Sequence, residues 1–436
     1  MKKIKFSDSI DLPSPLVYRY IDGHSLFIAP DKPTWIVTND IGAFMILPLS
    51  EGQSIEQAIN FTITGLGIEQ SQAKFEMKQL LQEVETQQFY QSVQTKKDND
   101  QNKKASIHLT LTRACNLRCI HCYINGGTPF NDELTNKEWK KVIHMLTEIY
   151  GQCEFTISGG EPMFRSDFFD IAEYVKSCGH STLLMTNGTL INSSEIAERL
   201  VKVVDRIQIS LDGTSPESTD RIRGKGSFNK IVSAIEFLKC VNAKLTLAFV
   251  LLPDNIDALA NKLVDFVSSL NYPNINIRLD DSLTDLGRAK KLPQSYFDLS
   301  ITIKKKYVKN ILKQLWKKGW AEPPRFYLHR QIKNCGIGHG LAIDSNGDIY
   351  PCSLPICNYG NYRTHDLRKI ANEINLLNES TSVDKIEKCQ NCEVKYICSG
   401  GCRIKNREKN GDFLIPYCEN GLKEKVIQRM ITLNGR

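Results

Sequence analysis

The residues with the clearest capacity for chemistry are three closely spaced cysteines, Cys115, Cys119 and Cys122, which follow a strand-like run at 107–111. A short loop with the spacing C-x3-C-x2-C can place three thiolates on three corners of a 4Fe-4S cube. The next cysteine along the chain is Cys153, so one iron would lack a nearby protein ligand and could bind a small molecule. A zinc site and reduced core thiols are the alternatives.

The three cysteines are followed directly by an aromatic residue, Tyr123. This pattern resembles the signature of the radical SAM superfamily. The resemblance implies that Cys115, Cys119 and Cys122 hold a 4Fe-4S cluster, whose open iron chelates the amino and carboxyl groups of S-adenosylmethionine. It also implies that Tyr123 contributes to the cofactor site.

The elements that must position this loop are repeated strand–helix units between about 107 and 292. Strand-like runs alternate with amphipathic helices, one of which begins at the capping box Thr135-Asn136-Lys137-Glu138. Six such repeats predict an α/β fold with a parallel sheet, curled as a partial (β/α)6 TIM-type barrel. The predicted strands are 107–112, 153–158, 181–186, 205–211, 244–252 and 274–280. The cysteines then lie at the carboxyl end of the first strand, where such barrels carry their chemistry.

The second predicted strand ends in Ser158-Gly159-Gly160-Glu161-Pro162. Paired glycines allow a backbone to approach a ligand closely. Similarity to the family's GGE motif implies that Gly159, Gly160 and Glu161 contact the amino group of S-adenosylmethionine. A plain tight turn is the alternative.

Polar residues also end the next two predicted strands. Asn187 follows the third strand, and Ser210 and Asp212 follow the fourth. Hydroxyl, amide and carboxylate groups at these positions can hold ribose hydroxyls and a methionine moiety, and Ser210 and Asp212 match family positions for this purpose.

A basic segment follows the fourth strand. Within it, Arg223 resembles the arginine that pairs with the methionine carboxylate, with Lys225, Arg221 or simple surface charge as alternatives. After the sixth strand, Leu286-Gly287-Arg288-Ala289 resembles the GRA turn of this enzyme group.

A second group of cysteines lies near the C-terminus: Cys335, Cys352, Cys389, Cys392, Cys398, Cys402 and Cys418. This set closely resembles the seven-cysteine SPASM domain. The resemblance implies two auxiliary 4Fe-4S clusters whose ligand sets interleave along the chain. The implied ligands are Cys389, Cys392, Cys398 and Cys418 for one cluster, and Cys335, Cys352 and Cys402 for the other.

The ligand set of the second auxiliary cluster is short by one cysteine. Some relatives have a further cysteine soon after the first, but this chain has Gly336-Ile337-Gly338-His339-Gly340 there. Either Cys357 supplies the fourth ligand, or one iron stays open for substrate. A zinc site is the alternative for the C-terminal group as a whole. The remaining cysteines, Cys153, Cys178 and Cys240, are expected to be small buried hydrophobic residues.

Residues 16–90 predict a small α+β module. Two short strands flank the hairpin signal Asp22-Gly23, and a third strand contains Trp35. Three helices are then predicted, the first capped by Asn39, the second by Ser54 and the third opening at Ser71. This order indicates a winged helix-turn-helix and resembles the PqqD-like recognition element of peptide-modifying enzymes. An inert accessory domain is the alternative.

Charge and composition restrict the partners of this module. Residues 1–95 contain seven Lys and Arg against eleven Asp and Glu, so the module is acidic and poorly suited to nucleic acid. We therefore expect it to bind the leader of a precursor peptide by β-augmentation, with no nucleic-acid partner. The whole chain has a formal net charge of +7, and its basic excess lies after residue 95.

The predicted domains are a recognition module at 1–94, a charged linker at 95–106, the radical SAM barrel at 107–320 and the SPASM domain at 321–436. Fourteen cysteines without an export signal favour metal ligation over disulfides. No apolar run approaches the length of a membrane span, and a cytoplasmic location without a membrane partner is expected.

The resemblance implies S-adenosylmethionine cleavage to a 5′-deoxyadenosyl radical, which abstracts hydrogen from a precursor peptide. An intramolecular crosslink, thioether or carbon–carbon, is the first expectation. A sulfatase-type formylglycine maturase and a peptide epimerase are alternatives, and a DNA-binding iron–sulfur redox sensor is an alternative from a different class. An electron donor such as flavodoxin or ferredoxin is the implied partner.

Overall fold

The computed structural model describes residues 5–97, 104–280, 283–297, 310–321, 328–418 and 421–433. The chain divides into two compact units. The larger unit, which we name the barrel unit after the predicted fold, draws on residues 103–324 and 337–377. The other unit, which we name the outer unit because it contains both ends of the chain, draws on residues 1–102, 325–336 and 378–436.

The barrel unit alternates strands and helices along most of its length. Its strands are β5 (Ala105–Thr110), β6 (Cys153–Ser158), β7 (Ser181–Thr186), β8 (Arg206–Ser210), β9 (Leu245–Val250), β10 (Ile275–Asp280), β12 (Gly340–Ile343), β13 (Asp348–Tyr350) and β14 (Gly360–Asn361). Its helices include α4 (Asn136–Tyr150), α5 (Phe168–Ser177), α6 (Ser194–Val203), α7 (Pro216–Arg223), α8 (Ser227–Cys240), α9 (Ile256–Ser269), α10 (Gln294–Phe297) and α11 (Leu367–Ser380).

These strands form a sheet in the order β10-β9-β8-β7-β6-β5-β12-β13-β14. The six predicted strands are parallel neighbours, so the predicted parallel α/β sheet is confirmed. Strand β12 adds to β5 in parallel, and β13 and β14 continue the sheet in antiparallel fashion. The strand that leads into the three-cysteine loop is therefore central in the sheet.

Alternation of side chains along the strands separates the two faces of this sheet. In β5, Ile107 and Leu109 are buried against the helices, whereas His108 and Thr110 point to the opposite face and are partly exposed. Helices present matching apolar stripes; in α4 they include Trp139, Val142, Ile143 and Leu146. The capping box predicted at Thr135 is present, with Glu138 returning the hydrogen bond.

The outer unit begins with the predicted hairpin and three helices. Its elements are β1 (Val17–Ile21), β2 (His24–Ala29), β3 (Thr34–Thr38), α1 (Asp40–Ser50), α2 (Ile55–Leu66) and α3 (Gln70–Thr86). Asn39 and Ser54 cap α1 and α2 as predicted. The third helix begins one residue before the predicted start, and Glu69 precedes it without a side-chain cap.

The C-terminal part of the outer unit consists of short helices. They are α12 (Glu387–Gln390), α13 (Lys395–Cys398), α14 (Arg403–Asn410) and α15 (Leu422–Leu433). A two-stranded pairing joins β4 (Lys96–Lys97) to β11 (Arg330–Gln331).

The three-stranded sheet β1-β2-β3 is covered on both faces. Phe27 and Ile36 pack on one face against α1–α3. Leu26, Ile28 and Trp35 pack on the other face against residues of the C-terminal helices, including Val394, Ile427 and Met430. The front module and the C-terminal cysteine region thus share a hydrophobic core, which the sequence did not predict.

Three further points differ from or extend the predictions. Strand β5 begins at Ala105, inside the predicted linker, and residues 98–103 of that linker lie outside the described residues. Helix α7 was not predicted as an element. The residues predicted as one C-terminal domain are distributed over both compact units, and the predicted domain boundaries stay predictions. No helix among the described residues combines the length and hydrophobicity needed to cross a bilayer.

Candidate active site

The three-cysteine loop is fixed at the end of β5 by its own backbone. Cys115 N–H donates to the carbonyl of Gly127 at 3.0 Å, and Gly127 N–H returns a bond to the carbonyl of Arg113 at 2.6 Å. The thiols of Cys115, Cys119 and Cys122 are close enough to interact electrostatically with one another. The loop therefore brings the three predicted ligands together.

Each of the three sulfur atoms also receives a hydrogen-bond donor. Leu117 N–H lies 3.4 Å from Cys115 Sγ, Gly126 N–H lies 3.3 Å from Cys122 Sγ, and Arg223 Nη1 lies 3.8 Å from Cys119 Sγ. Donors of this kind stabilise thiolates that ligate an iron–sulfur cluster. Without such a cluster, burial raises the pKa of the Cys115 thiol to about 11. The donor set fits a 4Fe-4S cluster.

The described residues contain no group of three or more His, Cys, Asp or Glu side chains arranged to hold a metal ion. The zinc alternatives therefore gain no support from the described residues.

The paired glycines after β6 contact the cysteine loop itself. A Cβ atom at Gly160 would lie 2.3 Å from the carbonyl oxygen of Ala114, and one at Gly159 would lie 2.7 Å from that of Thr112. Gly160 N–H also donates to the Thr112 carbonyl at 2.7 Å. The glycines thus let two strand ends approach each other, which gives them a packing role beside any contact with a cofactor.

The Glu161 carboxylate is fully buried and already holds three protein donors. They are the Thr186 hydroxyl at 2.8 Å, the Asn187 backbone N–H at 2.7 Å and the Met163 backbone N–H at 3.2 Å. Burial raises the pKa of Glu161 to about 7, although these hydrogen bonds oppose the shift. In this structure Glu161 ties the end of β6 to the end of β7.

Asn187 connects that same strand end to the cysteine loop. Its amide nitrogen donates to the side-chain oxygen of Asn116 at 2.9 Å and lies 3.8 Å from Cys115 Sγ. Asn116 in turn donates to the Thr189 hydroxyl at 2.8 Å. Asn116 and Thr189 were not predicted as site residues, although Asn116 lies within the motif.

Asp212 and Arg223 form a buried ion pair beside the loop. Arg223 Nη2 lies 2.6 Å from Asp212 Oδ2, and the side chains are 6% and 0% exposed. His121 Nε2 lies 3.3 Å from the same carboxylate oxygen. Burial lowers the pKa of His121, although the Asp212 carboxylate opposes this.

The two alternatives to Arg223 lie elsewhere. Arg221 pairs with Asp254 and has a 70% exposed side chain, and Lys225 is exposed. Ser210, the other predicted residue of this strand end, is partly buried at the end of β8. Of the basic residues in this segment, Arg223 is the one that lies at the cysteine loop.

The turn Leu286-Gly287-Arg288-Ala289 also contacts the cysteine loop and holds it through hydrogen bonds. Arg288 N–H donates to the Cys122 carbonyl, its Nε donates to the Cys119 carbonyl at 2.9 Å, and its Nη1 donates to the Gly126 carbonyl at 2.7 Å. Gly287 has φ +57°, and a Cβ there would lie 2.5 Å from two carbonyl oxygens of the loop. The motif therefore has a positioning role that the sequence alone did not assign.

A further positioning contact joins the loop to β12. Arg113 forms a buried ion pair with Asp344, which directly follows that strand, and also donates to the Ile124 carbonyl. Tyr123 is partly buried, and burial raises the pKa of its hydroxyl to about 12, with the thiols of Cys122 and Cys352 adding to the effect. The Arg113–Asp344 pair links positions 231 residues apart, which no local pattern reveals.

The C-terminal cysteines fall in both compact units. In the outer unit, the thiols of Cys389, Cys392, Cys398 and Cys418 interact with one another, which brings together one predicted ligand set. Cys335 and Cys402 belong to the same unit, whereas Cys352 and Cys357 belong to the barrel unit. Cys153 is buried as predicted, Cys178 is partly buried and Cys240 is exposed, so the expectation of burial is wrong for Cys240.

The parallel α/β sheet and the three thiols gathered after β5 define a candidate iron–sulfur protein of the α/β class. The family model "Radical SAM superfamily" matches residues 109–267, and the model "Iron-sulfur cluster-binding domain" (SPASM) matches residues 335–393. The chain belongs to the radical SAM superfamily and carries a SPASM domain.

The relatives of this chain include two synthases and one maturase. AdoMet-dependent heme synthase of Methanosarcina barkeri is 29% identical over 73% of this chain and 97% of that protein. Fe-coproporphyrin III synthase of the same organism is 31% identical over 70% of this chain and 84% of that protein. Mycofactocin maturase MftC of Mycolicibacterium smegmatis is 28% identical over 68% of this chain and 78% of that protein.

Solved structures show the same fold. Streptococcus suis SuiB bound to S-adenosylmethionine superposes with a TM-score of 0.54 at 16% identity, covering 92% of this chain and 97% of that one. The enzyme anSMEcpe with bound AdoMet superposes with a TM-score of 0.58 at 20% identity, covering 75% of this chain and 95% of that one.

Proposed function

We propose that this protein is a radical SAM maturase that modifies a ribosomally made precursor peptide, with an intramolecular thioether or carbon–carbon crosslink as the expected product. Cys115, Cys119 and Cys122 hold the 4Fe-4S cluster, which with S-adenosylmethionine supplies a 5′-deoxyadenosyl radical when bound. The protein's own residues position this site and bind the substrate.

Several residues of the barrel unit hold the cysteine loop in position. Arg288 and the Asn116–Asn187 bond hold the cysteine loop from two sides. Arg223, kept in place by Asp212, places a buried positive charge beside Cys119, where it can also meet a ligand carboxylate. Gly159, Gly160, Glu161, Asn187, Ser210 and Tyr123 complete the proposed cofactor site.

The observation that carries the peptide assignment is the edge strand β1. It has one neighbour among the described residues, β2, and its central residues Tyr18, Arg19 and Tyr20 are all exposed. An exposed edge strand can add an extended peptide through main-chain hydrogen bonds. Two aromatic side chains on it, 48% and 55% exposed, offer an apolar surface for that peptide's side chains. We therefore assign residues 16–90 to PqqD-like binding of a leader.

The extent of the similarities supports this assignment. The family models begin at residue 109, and the heme synthase is matched over 97% of its own length while about a quarter of this chain stays unmatched. A tethered leader raises the effective concentration of the attached core peptide near the barrel.

The C-terminal cysteines are assigned to two auxiliary 4Fe-4S clusters, which make three clusters in the chain. Cys389, Cys392, Cys398 and Cys418 hold one, and Cys335, Cys352 and Cys402 hold the other, with Cys357 or substrate at its remaining iron. A small electron-transfer protein such as flavodoxin or ferredoxin is the proposed donor.

The test uses anaerobically reconstituted full-length protein with dithionite, S-adenosylmethionine and the peptide encoded by a short neighbouring reading frame. We expect 5′-deoxyadenosine together with a peptide mass lowered by two hydrogens, and neither product with Cys115→Ala. The double variant Tyr18→Ser/Tyr20→Ser should raise the KM for the peptide with little change in kcat. Leu376→Ser, which removes an exposed apolar residue in the barrel unit, is the matched control.

A tetrapyrrole side chain is the second candidate substrate. The 29% and 31% identities to heme synthase and Fe-coproporphyrin III synthase favour it. Incubation with Fe-coproporphyrin III under the same conditions distinguishes the two candidates. Its conversion, with no mass change in the peptide, would replace the peptide assignment.

A further inference from the structure

Arg403 is a guanidinium buried inside the C-terminal cysteine region. Its exposed fraction is 0%, and it is the first residue of α14, directly after Cys402. A positive charge at a helix N-terminus meets the positive end of the helix dipole, so this position is unfavourable without a nearby negative group. Burial of an unpaired charge adds a further desolvation cost.

The hydrogen-bond partners of this guanidinium are all neutral. Nε donates to the Thr381 carbonyl at 2.7 Å, and Nη1 donates to the Gly401 carbonyl at 2.9 Å. Nη2 donates to the carbonyls of Ser399 at 2.8 Å and Lys333 at 3.4 Å. The donors are satisfied, but among the described residues no carboxylate balances the charge.

The carbonyls belong to segments that carry cysteines. Ser399 and Gly401 lie between Cys398 and Cys402, and Lys333 lies two residues before Cys335. Ser399, Gly400 and Gly401 have φ values of +53°, +76° and +73°, so this loop takes a left-handed path around the guanidinium. A Cβ at Gly400 would lie 3.0 Å from Arg403 Nη1.

Four cysteine thiols interact electrostatically with Arg403: Cys335, Cys389, Cys398 and Cys402. Cys389 and Cys398 belong to one proposed auxiliary cluster, and Cys335 and Cys402 belong to the other. As neutral thiols these groups leave the charge uncompensated, whereas thiolates on a cluster compensate it.

We propose that Arg403 is the shared counter-charge of the two auxiliary iron–sulfur clusters and raises their reduction potentials. A cube held by thiolates carries net negative charge, which increases on reduction. A buried positive charge therefore stabilises the reduced form more than the oxidised form, in a medium where solvent screens little. Arg403 acts through the clusters and is a positioning and tuning residue rather than a catalytic one. The inference rests on the proposed auxiliary clusters, not on the proposed peptide substrate.

The test is an EPR-monitored redox titration of the reconstituted full-length protein, with iron content measured on each sample. We expect Arg403→Gln to lower the potential of the auxiliary clusters, so that the ratio of reduced to oxidised cluster at a fixed potential falls at least tenfold, which is about 59 mV for a one-electron couple. Arg403→Lys retains the charge and should stay near the wild-type potential. The signal of the cluster at Cys115, Cys119 and Cys122, recognised by its response to S-adenosylmethionine, should not move.

Arg407→Gln is the matched control, because Arg407 lies one turn later on α14, is exposed and loses the same charge. Solvent screens that position, so its variant should titrate like the wild type. If Arg403→Gln does not bind its auxiliary clusters, the test rests on Arg403→Lys. A wild-type iron content and a wild-type potential in Arg403→Lys would then support the proposal.

Three results with the variants would overturn it. They are loaded Arg403→Gln at the wild-type potential, a shift of equal size in Arg407→Gln, and loss of the auxiliary iron in Arg403→Lys, which would make the four carbonyl bonds the essential role. If the wild-type protein itself binds only about four iron atoms, the auxiliary clusters fail as an assignment and the proposal falls with them; the peptide mass assay reports separately on the substrate.

Discussion

Asp212 and Arg223 form a fully buried ion pair in which the carboxylate has three roles. Oδ2 lies 2.6 Å from Arg223 Nη2 and also faces His121, while Oδ1 accepts the backbone N–H of Val250 at 2.7 Å. Asp212 itself has φ +62°, a left-handed conformation that costs energy for a residue with a side chain. The fold therefore sustains local strain at the point where β8 ends and the arginine is held.

Replacement of Asp212 by Asn should leave Arg223 buried without a counter-charge. Because the lost charge is inside the protein, we expect a decrease in the free energy of unfolding of about 3–5 kcal/mol. Urea denaturation of anaerobically purified protein measures it. Asp170→Asn, which removes the partner of Lys140 in an exposed pair, should change stability far less, because solvent screens exposed charges. Equal effects of the two substitutions would contradict the buried-pair argument.

Gly160→Ala should disturb the cysteine loop directly. The added Cβ would lie 2.3 Å from the Ala114 carbonyl and 2.6 Å from the Arg113 carbonyl, and both atoms are backbone next to Cys115. We expect the free energy of unfolding to fall by about 1–3 kcal/mol and 5′-deoxyadenosine formation to fall sharply, because the loop must move to relieve the overlap.

The control for this substitution is Gly52→Ala. Gly52 has φ +80° and open space around a Cβ, so it carries the conformational penalty of about 1–2 kcal/mol without a clash. Its 5′-deoxyadenosine yield should match the wild type. Full activity of Gly160→Ala would show that this close approach is not needed.

Glu161 should make stability fall as the pH rises. Burial raises the pKa of its carboxyl from 4.5 to about 7 in the folded protein, so the folded state binds more protons than the unfolded state between these values. The associated loss amounts to about 3 kcal/mol between pH 4.5 and 7. Urea denaturation of the cluster-free protein at pH 5 and pH 7.5 should show this decline in the wild type.

Glu161→Gln cannot lose a proton and should show a smaller decline over the same interval. Glu154→Gln, on the same strand but exposed, is the control and should follow the wild type. Identical pH dependence in all three proteins would argue that Glu161 stays charged in the folded state.

The cysteine motifs and strand ends allowed most of the barrel site to be predicted. Parallel strands place their carboxyl ends at one edge, so residues 72 positions apart, such as Cys115 and Asn187, were expected near each other. The spacing of Cys115, Cys119 and Cys122 similarly indicated that these three thiols share one cluster, whereas the division of the C-terminal cysteines between two clusters came from the resemblance to the SPASM domain. Local periodicity and caps placed the six barrel strands to within about two residues.

The parts of the site that could not be predicted are contacts that no local sequence pattern encodes. Arg113 pairs with Asp344 because β12 joins the barrel sheet beside β5, and the sequence of β12 does not reveal its neighbour. Arg288 was recognised as part of a motif, but its three carbonyl acceptors depend on the folded path of the cysteine loop. Arg403 appears in the sequence as one more basic residue, and only its burial distinguishes it.

Iron content should separate the auxiliary sites from the S-adenosylmethionine site. With three cubes, reconstituted wild-type protein should contain about twelve iron atoms per chain. Cys389→Ala removes a ligand of one proposed cluster and should lower the content by about four, with the other signals retained. Cys153→Ala removes a buried thiol of β6 that is not a proposed ligand, so it should keep the full content. A wild-type content near four would remove both auxiliary clusters from the assignment.

Trp35 should couple the front module to the C-terminal helices, because its side chain is 3% exposed and its indole N–H donates to the Met430 carbonyl at 3.2 Å. It packs with Val394 and Ile427, from segments more than 350 positions away. Trp35→Ala should lower the free energy of unfolding by about 3–5 kcal/mol, because it opens a cavity between the sheet β1-β2-β3 and α15. Hydrogen exchange should therefore rise in Leu422–Leu433 as well as in the three strands.

Trp139→Ala is the matched control, because Trp139 is equally buried but lies in α4 of the barrel unit. Its loss should raise exchange in the barrel helices and leave Leu422–Leu433 protected. If Trp35→Ala instead raises exchange only within residues 17–86, the shared core does not couple the two segments. Coupled exchange would mean that the proposed leader-binding module and the helices that carry the auxiliary cysteines form one cooperative unit, since local opening follows such units rather than sequence order.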